Sequence, residues 1–231
     1  MILSHKYQFI YIRCRKTAST SIELALSRAC GPNDVVSPVR PPEDEALRPQ
    51  LGGCGPQNYL NPDGTQRFYN HMPAGEIRQL VGEDVWSSYY KWCVERHPWD
   101  KVISYYYYRH RDPATRPPLY TFIESGGAEL VINFRLYTIG AEIAVDRIAR
   151  YERLTTELAE IADLLGLPPE ATALPRVKAH CRADRRHYSA LYSQAERDLV
   201  AELFANEIAL HGYHYEDLCP AASSLAAGFA G

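Results

Sequence analysis

Apolar residues fall into two rhythms. Phe9-Ile-Tyr-Ile12 is an apolar run of strand length, extended through Arg13 to Cys14, whereas Ser21 to Cys30 carries its apolar residues at helical spacing until Gly31-Pro32 stops it. The alternation returns at Tyr89-Tyr-Lys-Trp-Cys-Val-Glu95, a strand, followed by a helix that Pro98 opens from a first-turn position. It returns again at Val145-Asp-Arg-Ile-Ala-Arg-Tyr151, which leads into Leu154 to Leu165, where leucine and alanine recur at helical spacing before Gly166. Shorter helical segments are predicted over Ala74 to Leu80, Tyr120 to Ser125 and Val131 to Ile139, and a long last helix over Gln194 to Leu210. Residues 31 to 70 are rich in Pro, Gly and Asn and lack periodicity, which predicts a long irregular excursion of the kind often tied to function.

Repeated strand-to-helix units predict an α/β layered fold, one domain over residues 1–220, with a central, mostly parallel sheet flanked by helices. The small-residue tail, residues 221–231, is expected to be disordered. Ligands of such sheets bind beyond the carboxyl ends of the strands, where two polar seams fall.

Composition narrows the classes. With 231 residues, 46% hydrophobic and 23% charged, the chain can bury one good core and is not disordered as a whole. A net charge of −3 gives no general attraction to nucleic acid, so any anion site is local. The six cysteines contain no C-x-x-C pair and read as free thiols. No stretch approaches membrane-spanning length and no leader is evident, so a cytoplasmic protein without membrane insertion is expected.

The first seam is Cys14-Arg-Lys-Thr-Ala-Ser-Thr-Ser21, two cations and four hydroxyls between strand and helix. A helix N-terminus offers unpaired N–H groups and the positive end of its dipole, so this loop suits a tetrahedral phosphate or sulfate group. A plain capping box, Thr20-Ser-Ile-Glu23, would account for Thr20 and Glu23 but not for the cations. A Walker loop needs G-x-x-x-x-G-K-[ST], and this loop has no glycine and an early lysine. The second seam, Cys93-Val-Glu-Arg-His-Pro-Trp-Asp-Lys-Val-Ile-Ser104, sets Arg96 at a strand end and Ser104 about two turns into a helix. Arginine's planar fork suits a phosphate; alternatively, Arg96 is a surface residue paired with Glu95 or Asp100.

Together, R-K-T-A-S-T-S and V-E-R-H-P-W-D-K-V-I-S-Y-Y-Y resemble the sulfotransferases that use 3′-phosphoadenosine 5′-phosphosulfate (PAPS), most closely the carbohydrate and heparan-type O-sulfotransferase branch. Arg150-Tyr-Glu-Arg-Leu154 with the following helix, and His211-Gly-Tyr-His-Tyr215, resemble that family's later segments, so most of residues 7 to 218 is covered, with 31 to 70 unmatched. The resemblance implies a P-loop-like three-layer fold and transfer of a sulfuryl group to an acceptor hydroxyl of a glycan or small metabolite, with no metal required. It implies that Arg15, Lys16, Thr17, Ala18, Ser19, Thr20 and Ser21 cradle the 5′-phosphosulfate, with Lys16 catalytic, and that Arg96 and Ser104 hold the 3′-phosphate. His71, in Phe68-Tyr-Asn-His-Met72, resembles the histidine that serves as base in heparan-type members. Arg15 stands where many members have proline, and Ala18 where many have glycine.

Other features are weaker. The basic linker with Arg176, Lys178, Arg182, Arg185 and Arg186 is either solvated or supplies Arg182 or Arg186 to the cofactor. His180, Cys181 and His187 match no standard zinc spacing. Two rivals stand beside the transferase: an atypical nucleotide-dependent kinase and a non-catalytic nucleotide-binding protein.

Overall fold

A computed structural model describes residues 1–175, 177, 184 and 186–216. Strand β1 (Ile2–Ser4) and strand β2 (Phe9–Tyr11) form an antiparallel pair, Ile2 opposite Tyr11, and helix α1 (Ser19–Leu26) follows. The excursion after it contains β3 (Val35–Val36), α2 (Pro42–Glu45) and α3 (Leu47–Gln50). Next come α4 (Ala74–Val81), α5 (Glu83–Ser88), β4 (Tyr90–Glu95) and α6 (Pro98–Arg109), with Pro98 in its first turn. Helices α7 (Leu119–Glu124) and α8 (Phe134–Tyr137) precede a small hairpin of β5 (Thr138–Ile139) and β6 (Glu142–Ile143). The chain continues with β7 (Arg147–Arg150), α9 (Leu154–Leu165), α10 (Gln194–Leu203) and α11 (Ala205–His211).

The five-stranded sheet has the order β3-β1-β2-β4-β7. β2, β4 and β7 run parallel, as strand-to-helix units require, while β1 pairs antiparallel with both β2 and β3. The sheet is therefore mixed rather than mostly parallel by pairing. The reason is local: Ile2-Leu-Ser4 is a short apolar run joined to β2 by a four-residue turn, and a turn that short permits only an antiparallel neighbour.

Strand periodicity assigns the layers. Phe9, Tyr11, Trp92 and Val94 pack with Ile22, Leu26, Leu158 and Ile161 on the face covered by α1 and α9. Ile10, Ile12 and Cys93 point the other way, against Ala74, Ile77, Trp86 and Leu136 of α4, α5 and α8. A third cluster, built on Trp99, Val102, Ile103 and Tyr106 of α6 with Phe122 and Val200, joins α6 to α7 and α10. The predicted last helix is two, because Phe204 leaves the helical region at φ −108 and ψ 23 while its ring is buried in this cluster. Among the described residues, no helix is long and apolar enough to cross a membrane.

Beneath the first seam, Glu23 of α1 is fully buried between the Met1 ammonium and Arg13, and Arg13 Nη2 donates to Thr20 Oγ1 at 2.9 Å. The capping box is thus not formed: both of its side chains turn to Arg13. Burial opposes the charge on Glu23, but Arg13 and the Met1 ammonium outweigh it and hold the carboxyl at about 2 against an ordinary 4.5. A depressed carboxyl contributes stability above its unfolded pKa and loses it as pH falls through the folded one. Glu23→Gln is expected to cost about 3 kcal/mol near neutral pH and to flatten the acid limb of urea unfolding below about pH 4.5. An unchanged acid limb would refute this account of the network.

Candidate functional site

The first seam leaves the carboxyl end of β2 and enters α1. Lys16 has φ 62 and Ala18 φ 57, while Thr17 between them keeps negative φ. Alternating hand along successive residues turns their N–H groups to one side, which makes an anion-binding concavity. The first intrahelical bond runs from Ile22 N–H to the Ala18 carbonyl, and Ala18 caps the helix with no side-chain bond. The N–H groups of Ser19, Thr20 and Ser21 therefore have no intrahelical acceptor. Two of the four hydroxyls brace the loop itself: Thr17 Oγ1 donates to the Cys14 carbonyl at 3.2 Å, and Thr20 Oγ1 accepts from Arg13. Alanine at position 18 holds the left-handed conformation that glycine adopts freely, at about 1 kcal/mol of backbone strain.

The second seam closes on the first. Arg96 Nη1 donates to the Lys16 carbonyl at 3.1 Å, while Nε and Nη2 donate to Asp100 Oδ2 at 2.9 and 2.6 Å. Its guanidinium also lies 4.1 Å from the Tyr151 ring. Arg96 thus pairs with Asp100, as the alternative reading of its sequence position expects, but its side chain is only 12% exposed, so it is not a surface arginine. Burial opposes its charge and Asp100 more than restores it. Asp100, Ser104 and Tyr108 recur at i, i+4 and i+8 along one stripe of α6. Asp100 holds Arg96, and Lys16 Nζ sits 4.3 Å over the Tyr108 ring, so half-buried Ser104 lies on the stripe between two residues that touch the loop or its neighbour.

His71 joins them from the far end of the excursion. Buried Phe68 and Met72 anchor its segment in the core, and its Nδ1 bonds the Arg13 carbonyl at 3.0 Å. A carbonyl only accepts, so Nδ1 carries the proton and Nε2 is the basic nitrogen. Burial first, then Arg13 and Arg15, lower its pKa to about 3. Arg15 is fixed by its backbone: its N–H donates to Asn133 Oδ1 at 2.8 Å and its carbonyl accepts from Asn133 Nδ2 at 3.1 Å. Burial and the neighbouring Arg135 lower the Arg15 guanidinium.

A buried charge cluster underlies the site. Glu95, at the end of β4, accepts from the Arg96 N–H at 2.8 Å, Lys101 Nζ at 2.7 Å, Asn133 Nδ2 at 3.2 Å and Tyr137 OH at 3.3 Å. Glu207 of α11 accepts from the N–H groups of Asn133 and Phe134. Sequence reasoning missed Asn133 and Arg135. Asn133 did leave a signal, since it is a polar residue inside an apolar segment and so must be either capped or buried against donors and acceptors.

The chain is 36% identical over 103 residues to an uncharacterized protein of Archaeoglobus fulgidus, a stretch that spans 43% of this chain and 86% of that protein. The two belong to one family. No family model matches the chain, and no solved structure does.

Of the basic linker, Arg176, Lys178, Arg182 and Arg185 lie outside the described residues, as do His180, Cys181 and the tail. Arg186 is exposed and donates from Nη2 to Asp184 at 2.6 Å.

Two outcomes follow from the loop geometry. Ala18→Gly is expected to leave stability unchanged or raise it by about 1 kcal/mol, whereas Ala18→Val loses about 2 kcal/mol, because a branched side chain resists positive φ. Equal losses in urea unfolding would exclude a left-handed residue here. His71 is expected to remain neutral down to about pH 3 by NMR titration, and a midpoint near its ordinary 6.5 would contradict the buried, cation-flanked placement.

Proposed function

We propose that the protein is a PAPS-dependent sulfotransferase with a P-loop-like fold, acting on an acceptor hydroxyl of a glycan or small molecule. The observation that carries this is the bond from Arg96 to the Lys16 carbonyl, which ties two cationic cradles together at the carboxyl edge of the parallel strands. A ligand with anionic groups at both ends fits that pairing better than one with a single phosphate cluster. The left-handed turns at Lys16 and Ala18, the unbonded N–H groups of the first turn of α1 and the nearby cations suit a phosphosulfate.

The bound donor would supply the sulfuryl group and leave a bisphosphate. Lys16, with the loop N–H groups from Thr17 to Ser21, would balance charge on the leaving oxygen, an electrostatic role that loose in-line transfers depend upon. Arg96 would hold the 3′-phosphate with Ser104, its Asp100 partner keeping the guanidinium in place. His71 Nε2 would take the acceptor's proton. Burial, with Arg13 and Arg15, makes His71 a poor base, and a multiply charged anion beside the two arginines would offset their share and raise its pKa. Arg15, which neighbours His71, and Arg135 beside it would favour an acceptor that itself bears negative charge.

The depressed basicity of His71 favours one alternative, a nucleotide-binding protein without catalysis. An atypical kinase is the other. 3′-Phosphoadenosine 5′-phosphate is expected to raise the melting temperature several degrees more than ATP at equal concentration. Lys16→Ala and Arg96→Ala are expected to abolish detectable transfer from sulfur-labelled PAPS with the fold retained. His71→Ala is expected to lower turnover by about a hundredfold or more with cofactor affinity little changed. Stronger stabilisation by ATP, or full activity in either cation variant, would reject the assignment.

A further inference from the structure

The excursion meets the far end of α1 through two cysteines. Gly53 N–H donates to the Arg48 carbonyl at 2.9 Å and Cys54 N–H to the Ser27 carbonyl at 3.1 Å, so residues 53 and 54 lie against the last turn of α1. The approach is close enough that a Cβ on Gly53 would meet Ser27 Oγ at 2.2 Å. Just beyond the helix, Cys30 Sγ reaches back to the Leu26 carbonyl at 3.5 Å. Cys30 and Cys54 are unbridged and half-buried, pack against the same apolar cluster, and lie close enough for each to bias the other's ionisation. Cys14, beyond the end of β2, and Cys93 of β4 are by contrast fully buried.

We propose that Cys30 and Cys54 are a dithiol modification site, which a small-molecule disulfide of the glutathione class converts into an intramolecular disulfide. The two thiols differ in role. The neighbouring Cys30, with Arg48 nearby, favours the Cys54 thiolate against the effect of burial, while the approach of Cys54 and burial disfavour ionisation of Cys30. Cys54 is therefore the attacking sulfur. Its thiolate displaces one thiol from the small disulfide and forms a mixed disulfide, and the proton it gave up ends on the released thiol. Once Cys54 is capped, the negative charge that suppressed Cys30 is gone; Cys30 ionises, attacks the Cys54 sulfur and releases the second thiol. In sum two protein thiols become one disulfide and one small disulfide becomes two thiols. The bridge would fasten residues 31–53 to the end of the helix whose other end carries the anion loop.

The test uses the full chain with Cys181→Ser and Cys219→Ser, equilibrated in reduced and oxidised glutathione, trapped by alkylation and mapped by mass spectrometry. A Cys30–Cys54 bridge with loss of two hydrogens is expected, with a melting temperature higher by on the order of 5–10 °C. Adding Cys30→Ser should leave a stable glutathione adduct on Cys54, formed at least about tenfold faster than any on Cys14 or Cys93. Cys54→Ser should leave neither bridge nor fast adduct. A bridge to another cysteine, no adduct in the Cys30→Ser chain, or Cys54 reacting no faster than Cys14 would each overturn the proposal. Mapping the chain that retains both cysteines requires no variant at either position to fold.

Discussion

A carboxylate removed from water must be met by donors on every side, and Glu95 meets that demand at the point where the candidate site begins. It stands fully buried at the end of β4, and its donors come from three different parts of the chain: the backbone of Arg96, Lys101 on α6, and Asn133 and Tyr137 around α8. Satisfying one buried charge therefore fixes the second seam, the entry to α6 and the segment that grips Arg15. Glu207 adds α11 to the same cluster through the backbone of Asn133 and Phe134. Burial and the nearby Glu95 raise its pKa, Lys101 opposing them, which fits one lysine shared by two carboxylates.

From that base the two cradles are positioned mainly through backbone groups. Arg15 is held by its amide and carbonyl, Lys16 lends its carbonyl to Arg96, and Thr17 and Thr20 hold the loop's curl. The first-turn N–H groups of Ser19, Thr20 and Ser21 take no part in that scaffold and have no intrahelical acceptor. Such preorganisation matters for an anion site, since donors already aimed need not reorganise when charge arrives. Positive φ at Lys16, Ala18 and His71 falls at three residues of the candidate site.

Glu23 answers Arg13, and Asp100 answers Arg96, whereas Arg15 and Arg135 face each other with mutual repulsion. Burial, then the charges of Arg13 and Arg15, lower the basicity of His71.

The chain's periodicity determined the three parallel strands, α1, α6 and α9, because each carries a run or stripe of apolar residues long enough to dictate its own period. The helix over Leu154–Leu165 agrees with its structure at both ends, since Gly166 can take the left-handed cap that stops it. The polar seams were legible for the same reason: hydroxyls and cations interrupting an apolar rhythm have no local explanation. Tertiary structure alone decided the antiparallel β1, the brief β3 and the β5–β6 hairpin, which are too short to carry a period and exist because a neighbour offers hydrogen bonds. It alone decided that Glu23 faces Arg13 instead of capping α1, that Asn133 clamps Arg15 across 118 positions of sequence, and that Arg96 reaches Lys16 across 80. Such pairings are set by which buried groups must find partners once the layers close, a condition that no local stretch of sequence contains.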